Sequence, residues 1–137
     1  METKKTILYA EDTLATREIL KDFFTCEFAK YNLDICKDGG ELEFKLKQDL
    51  EDVAVILTDN NMPLRKGIEL IEQYSDKGIP MILYSADKSV WQQAKKVGAY
   101  AFVQKPFDIE YLFSVFQNAI DEKKFNWEDV PFDSRCL

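Results

Sequence analysis

The stretch VAVILTDNNMP, residues 53–63, decides how the rest of the sequence is interpreted. Its first five residues are apolar and mostly β-branched, which predicts a short strand buried on both faces of a sheet. Asp59 lies just beyond that strand, and the Asn-Asn-Met-Pro sequence after it predicts a turn. A carboxylate in this place is held by a rigid strand and can act as a nucleophile or a metal ligand. The alternative is that Asp59 only begins the turn or caps the next helix.

Short apolar segments alternate with amphipathic segments along the chain. Five segments have the length and composition of strands: 6–10, 32–36, 53–57, 79–84 and 100–103. Five others carry apolar residues at helical spacing: 14–30, 42–50, 67–74, 90–97 and 108–123. This alternation predicts one α/β domain with a parallel sheet, helices on both faces, and the flavodoxin-like (βα)5 strand order 2-1-3-4-5.

Two local patterns add detail to this prediction. The sequence Asp38-Gly39-Gly40 predicts a turn before the second helix. An apolar stripe on the first helix is predicted to face the core: Ile19, Leu20, Phe23, Phe24 and Phe28. Because Cys26 lies among these aromatic residues, we interpret it as a small core residue.

Composition excludes several classes of protein. The net charge of −7 argues against direct nucleic-acid binding, which needs a basic patch, and suits a site where carboxylates hold a cation. The absence of histidine from the sequence excludes a Ser-His-Asp or Cys-His relay and the usual ligands of catalytic zinc. Three widely spaced cysteines predict neither a disulfide framework nor a metal site. With no apolar run of membrane-spanning length and no signal-peptide core, the sequence predicts a cytoplasmic protein.

Polar side chains that can take part in catalysis or metal binding follow four of the predicted strands. Glu11 and Asp12 follow the first strand, Asp59 the third, Ser85 the fourth and Lys105 the fifth. Ligands bind at the carboxyl edge of parallel α/β sheets, so these side chains are expected to meet in one cleft. Three carboxylates gathered there would repel one another, and unpaired they would lower stability or retain protons. A Mg²⁺ ion would relieve the repulsion, and with the lysine and hydroxyl it would cradle a phosphoryl group; alternatively, the lysine only neutralises the acids.

Five motifs, in this order, resemble the signature of the receiver domains of two-component response regulators: Glu11-Asp12, residues 59–63, Gly67, Ser85-Ala86 and Lys105-Pro106. The resemblance covers residues 4–123 and leaves residues 124–137 as a short acidic and aromatic C-terminal tail. It implies a phosphorylation-dependent signalling switch that passes its signal to a downstream protein.

The resemblance also implies a role for each site residue. Asp59 would attack a phosphohistidine on a sensor histidine kinase or a histidine phosphotransfer protein and become an acyl phosphate. Asp12 and Asp59 would bind Mg²⁺ directly, Glu11 would do so through a water, and the backbone carbonyl of Asn61 would complete the protein ligands. Lys105 would pair with the phosphoryl oxygens.

A second group of residues would sense the phosphoryl group. The Ser85 hydroxyl and the Ala86 amide would contact it, and Phe102 on the fifth strand would turn inward. The altered surface would consist of the fourth helix, the fifth strand and the fifth helix. Candidate residues on that surface are Trp91, Gln92, Lys95, Gln104, Tyr111 and Ser114. A cis bond between Lys105 and Pro106 is also implied, which a Lys-Pro bond permits at low cost.

Two further residues would set how long the phosphoryl group persists. Asn61 and Asp87 lie two positions beyond the phosphoacceptor and the hydroxyl, and resemble those of chemotaxis-type single-domain regulators. No activity on external substrates is implied, only self-catalysed phosphorylation and dephosphorylation. The start at Met1 and the short tail favour a complete protein, and both a monomer and a homodimer paired through the last helix remain open.

Three rival functions are compatible with parts of the pattern. An aspartate-based, Mg²⁺-dependent phosphatase would need a second aspartate where this chain has Asn61. A flavodoxin would need a phosphate-binding loop where Glu11 and Asp12 would repel the flavin phosphate. A degenerate receiver would bind partners without phosphorylation. For residues 125–133, a tail that packs on the domain or is disordered is favoured over a docking segment.

Overall fold

The computed structural model describes residues 4–132. Within that range the strands are β1 (Thr6–Ala10), β2 (Asn32–Cys36), β3 (Val53–Asp59), β4 (Met81–Ser85) and β5 (Ala101–Gln104). The α-helices are α1 (Leu14–Glu27), α2 (Gly39–Leu46), α3 (Gly67–Tyr74), α4 (Trp91–Val97) and α5 (Ile109–Ile120). All neighbouring strands pair in parallel in the order β2-β1-β3-β4-β5, which confirms the predicted flavodoxin-like architecture.

The central strand β3 is buried on both faces, as its apolar run predicts. Val55, Ile56 and Leu57 are each no more than 1% exposed. Because side chains alternate along a strand, Ile56 joins the hydrophobic layer under α2, α3 and α4, whereas Val55 and Leu57 join the layer under α1 and α5. The sheet therefore separates two cores and presents its carboxyl edge, where β3 ends at Asp59, to solvent.

Two residues of α1 lie on the outer face of the helix and not in the core. Ile19 is 62% exposed and Cys26 is exposed, so the prediction that both face inward was wrong. The buried face is marked by Leu20, Phe23 and Phe24. At about 100° per residue, Ile19 and Cys26 lie at least about 100° around the helix from the centre of that face. Their aromatic neighbours in the sequence concealed this angular offset.

The second helix begins inside the segment that the sequence predicted to be a turn. Asp38 caps α2 by accepting a hydrogen bond from the Glu41 amide at 2.8 Å, and the helix starts at Gly39. A Cβ atom at Gly39 would lie 2.0 Å from the carbonyl oxygen of Arg65, so glycine is needed for the loop after β3 to approach. Elsewhere the element ends differ from prediction by at most four residues, because apolar periodicity does not mark where hydrogen bonding stops.

Among residues 4–132, no helix combines the length and the apolar character that a membrane span requires.

Candidate functional site

Three carboxylates converge at the carboxyl edge of the sheet. Glu11 and Asp12 follow β1, and Asp59 is the last residue of β3, the strand paired with β1. One carboxylate oxygen from each of the three lies within 4.8 Å of the others. Glu11 is 0% and Asp59 6% exposed, whereas Asp12 faces solvent. The predicted acidic cluster is thus formed by residues far apart in sequence, with one open side.

Lys105 supplies the positive charge of the cluster. Its Nζ atom lies 3.1 Å from Glu11 Oε1 and 3.2 Å from Asp59 Oδ2. The same ammonium lies 4.3 Å from the centroid of the Tyr84 ring, a cation–π contact. The Lys105–Pro106 peptide bond is cis, and the Lys105 amide donates a hydrogen bond to the Ser85 carbonyl at 2.9 Å. These contacts fix the lysine between two acids.

Beneath the acids lies a buried tyrosine pair that sequence reasoning missed. The Tyr84 hydroxyl donates a short hydrogen bond to Glu11 Oε1, and its oxygen lies 2.9 Å from the Tyr9 hydroxyl. Burial raises the pKa of Tyr84 far above its usual range, so Tyr84 keeps its proton and acts as a donor. Tyr9 and Glu11 are two residues apart and lie on the same side of the extended chain, but no pattern in the sequence identified Tyr84 as their partner.

The buried acids carry unequal charge. Burial and the adjacent negative charge of Glu11 raise the pKa of Asp59 to about 7. Burial would also raise the pKa of Glu11, but hydrogen bonds from Asp59 and Tyr84, together with the Lys105 charge, lower it instead. With a pKa of about 7, Asp59 is protonated in about half of the molecules at neutral pH, whereas Glu11 is ionised.

The loop after β3 is fixed against the start of α3. The side-chain oxygen of Asn60 accepts a hydrogen bond from the Ile68 amide at 3.0 Å, and its carbonyl accepts one from the Gly67 amide at 3.0 Å. A Cβ atom at Gly67 would lie 2.3 Å from the Asp59 carbonyl oxygen. Glycine at this position therefore lets α3 pack directly on the residue that carries the central carboxylate.

Ser85 is the last residue of β4, and Ala86 and Asp87 lie in the loop that follows it. Ser85 ends β4, next to the pair that Asp59 forms with Tyr84 in the sheet, and its hydroxyl oxygen accepts a hydrogen bond from the Asp87 amide at 3.0 Å. The Asp87 carboxylate turns to its own loop and accepts a hydrogen bond from the Ser89 amide at 2.9 Å. Ala86 is exposed beside it.

Three further predicted residues, Asn61, Phe102 and Gln104, differ in their exposure to solvent. The Asn61 side chain is exposed in the loop after β3. Phe102 is fully buried, at 0% exposure, in the layer under α4. Gln104, expected on the exposed surface, is only 3% exposed, with its amide nitrogen 3.5 Å from the Ala86 carbonyl, so that expectation was wrong. It ends a strand whose residues are all buried.

Most of the sequence is similar to one known protein family. The response regulator receiver domain matches residues 7–117, most of the chain. The chain belongs to this family. Receiver domains act in two-component signalling and are not metabolic enzymes, so membership decides against a flavodoxin and implies phosphorylation-dependent signalling.

Relatives and solved structures agree with this assignment. The receiver is 34% identical over 118 residues to the probable transcriptional regulator ycf29 of Porphyra purpurea, covering 74% of this chain and 54% of that protein. It is 26% identical over 150 residues to the aerobic respiration control protein ArcA of Escherichia coli, covering 96% and 61%. The chain thus spans little more than half the length of these two relatives. A CheY-like receiver domain protein of Methanospirillum hungatei superposes with a TM-score of 0.77 at 25% identity, covering 88% of this chain and 96% of that one. The chemotaxis response regulator CheY4 of Vibrio cholerae gives 0.73 at 25% identity, covering 85% and 99%.

Proposed function

We propose that this receiver accepts a phosphoryl group on Asp59 from a phosphohistidine of a sensor histidine kinase or a histidine phosphotransfer protein. The observation that carries the proposal is the position of Lys105 Nζ, within 3.2 Å of both Asp59 and Glu11 in a cluster that also contains Asp12. A lone turn-forming or capping aspartate would not need such surroundings. The chain's own chemistry would be limited to gaining and losing this phosphoryl group.

In the transfer step, a carboxylate oxygen of Asp59 attacks phosphorus and forms an O–P bond while the N–P bond to the partner's histidine breaks. The electron pair of that bond returns to the imidazole, so no external oxidant or reductant is needed. Lys105 is placed to stabilise the negative oxygens of the transferring group. Asp59 must be ionised to attack, and Lys105 beside it favours the ionised form against the effect of burial.

The acidic cluster has the chemistry of a Mg²⁺ site. It combines hard carboxylate oxygens with one solvent-facing member, Asp12, which suits an ion that keeps several of its waters. Asp12, Asp59 and the backbone carbonyl of Asn61 would bind the ion, and Glu11, whose oxygens contact Lys105, Tyr84 and the Thr13 amide, would act through a water. When bound, Mg²⁺ would neutralise part of the negative charge on the acids and the phosphoryl group.

The output is proposed to be a shift between two arrangements of the α4-β5-α5 face. The Ser85 hydroxyl, together with the Ala86 amide, would be drawn toward the phosphoryl group, and Phe102, which is already buried, would be held in its inward position. Phe102 is buried here and lacks the hydroxyl of a tyrosine, which favours its inward position. Binding of a downstream protein to one arrangement would shift the population toward it.

The proposed location is the cytoplasm. The free cysteines Cys26 and Cys36 support a reducing compartment.

The direct test is incubation with a small phosphodonor and Mg²⁺, followed by intact-mass measurement. One added phosphoryl group that is absent from Asp59→Ala supports the proposal. An unmodified but folded wild type would instead favour a receiver that binds partners without phosphorylation. Turnover of a phosphomonoester in solution would favour the phosphatase.

A further inference from the structure

The chain does not leave the domain after α5. A short 3-10 helix, Trp127–Asp129, follows α5, and the segment from Phe125 to Phe132 returns across α4 and β5. We call residues 125–132 the return segment. It lies on the face that the proposed function assigns to signal output.

Apolar anchors hold the return segment to this face. The Phe132 ring packs edge-on against Trp91 of α4, with centroids 5.9 Å apart, and lies 6.3 Å from Phe102 of β5. Val130 is 9% exposed and belongs to the same buried cluster as Ala94 and Phe102. Phe132 itself stays 40% exposed, so it forms the outer edge of the contact. The covered surface thus accommodates one aromatic and one β-branched side chain of the segment.

Charge complements these anchors. Glu128 lies 3.6 Å from Lys95 of α4. On the side of α5, burial and the nearby negative charge of Asp129 raise the pKa of Tyr111 to about 12, which places Asp129 close to that helix. Both members of the Lys95–Glu128 pair are largely exposed, so this pair favours orientation more than it adds stability. The segment is therefore an acidic, aromatic peptide that lies between α4 and α5.

One buried donor beneath the segment has no partner. Among the described residues, Trp91 Nε1 is the buried side-chain nitrogen or oxygen without a hydrogen bond. The Phe132 ring packs on the same indole that carries this nitrogen, and an unpaired buried donor is unfavourable. The return segment thus fits the face but leaves one donor without a hydrogen bond. A segment that another peptide can displace is expected to make such an imperfect contact.

We infer that the return segment is an intramolecular ligand of the α4-β5-α5 face, and that a downstream protein displaces it with a peptide of the same kind, carrying aromatic anchors between acidic residues. The inference rests on the proposed function only for naming this face as the output surface. A tethered segment has an effective concentration of roughly millimolar order, so a partner must compete with it. Loosening the segment should therefore make the face more accessible, with or without phosphorylation.

The test uses a labelled synthetic peptide of residues 124–137 added to full-length protein in the absence of phosphodonor. Phe132→Ala should bind the peptide about tenfold more tightly than wild type, because its own segment has lost its outer anchor. Phe44→Ala removes a phenylalanine that is 64% exposed on α2, away from this face, and should bind like wild type. Equal binding to Phe132→Ala and wild type, or binding to neither at millimolar peptide, would overturn the inference.

A second measurement reports release of the segment directly. In a Trp127→Phe background Trp91 is the remaining tryptophan, since the sequence contains two. Adding Phe132→Ala should red-shift Trp91 emission and increase its quenching by iodide, while melting curves confirm the fold. Unchanged emission and quenching would contradict release. Because neither assay involves Asp59, failure here and failure of phosphorylation are distinguishable.

Discussion

Replacing Asp59 by asparagine is expected to stabilise the metal-free protein. Burial and Glu11 raise the pKa of Asp59 from 3.8 to about 7, so the folded state binds more protons than the unfolded state between those values. Stability is therefore lost as pH rises through that window. On folding, Asp59 must then either take up a proton or be buried as a negative charge that Glu11 repels. The raised pKa of Asp59, taken alone, lowers the free energy of unfolding by about 4 kcal/mol at pH 8 and by about 2 kcal/mol at pH 5.

The lowered pKa of Glu11 opposes part of this cost, since it stabilises the folded state above the unfolded pKa of Glu11. The asparagine amide can donate to Glu11 in place of the Asp59 proton, but it does not restore every contact. The net gain for Asp59→Asn is thus expected to be about 1–4 kcal/mol at pH 8 and smaller at pH 5.

Urea unfolding monitored by tryptophan fluorescence, in chelator at pH 5 and pH 8, measures this gain. Asp22→Asn changes the charge equally at an exposed site on α1 and should have little effect. Adding Mg²⁺ should stabilise wild type by an amount that increases with the occupancy of the Mg²⁺ site, and it should stabilise Asp59→Asn by less. The reasoning is refuted if Asp59→Asn gains nothing at pH 8, or gains the same at both pH values.

Three further substitutions test the geometry around the site. Tyr84→Phe removes the donor to Glu11 and should cost about 1.5–3 kcal/mol of stability and weaken Mg²⁺ binding, measured by urea unfolding and calorimetry. Gly67→Ala places a Cβ atom 2.3 Å from the Asp59 carbonyl and should lower stability by about 1–3 kcal/mol and slow phosphorylation, measured by unfolding and intact mass. Asn61→Arg should slow loss of the phosphoryl group, followed by its decay after removal of the phosphodonor.

Each of these substitutions has a control or an opposing result. Tyr100→Phe alters a partly buried tyrosine away from the acids, and a loss of Mg²⁺ affinity equal to that of Tyr84→Phe would mean the effect is not specific. Gly78→Ala is the control for Gly67→Ala, because a Cβ atom at Gly78 has no neighbour within 4 Å. Any loss of stability there reflects the left-handed backbone and not a clash. Full phosphorylation of Gly67→Ala would contradict the packing argument. Equal decay rates in Asn61→Arg and wild type would remove Asn61 from the tuning role.

The features that the sequence predicted correctly are those that depend on hydrophobic periodicity and on where the strands end. The apolar run before Asp59 indicated the central strand, and parallel strand order then required Glu11, Asp12, Asp59 and Lys105 to meet. The direction in which a side chain points around its helix was harder to predict, as the exposed position of Cys26 shows. An apolar stripe indicates that a face exists but not where it ends.

Two kinds of contact between separate elements could not be predicted from the sequence: hydrogen bonds inside the sheet layer and the packing of the chain after α5. The Tyr9–Tyr84–Glu11 hydrogen bonds join β1 and β4, which do not pair with each other, so no local pattern reports them. The return of Phe132 onto Trp91 likewise depends on where α5 ends and how the chain turns afterwards. The acidic and aromatic composition of the tail favoured packing or disorder over docking, but it did not indicate which face of the domain the tail would cover.

Locating the phosphoryl group within the chain tests the central claim most directly. Borohydride reduces an aspartyl phosphate to homoserine, so wild type treated with a small phosphodonor, Mg²⁺ and then borohydride can be mapped by peptide mass spectrometry. The account predicts homoserine at position 59 in wild type and none at that position without phosphodonor. Conversion at Asp12 or at another acid instead of Asp59, or no conversion in folded protein, would contradict it.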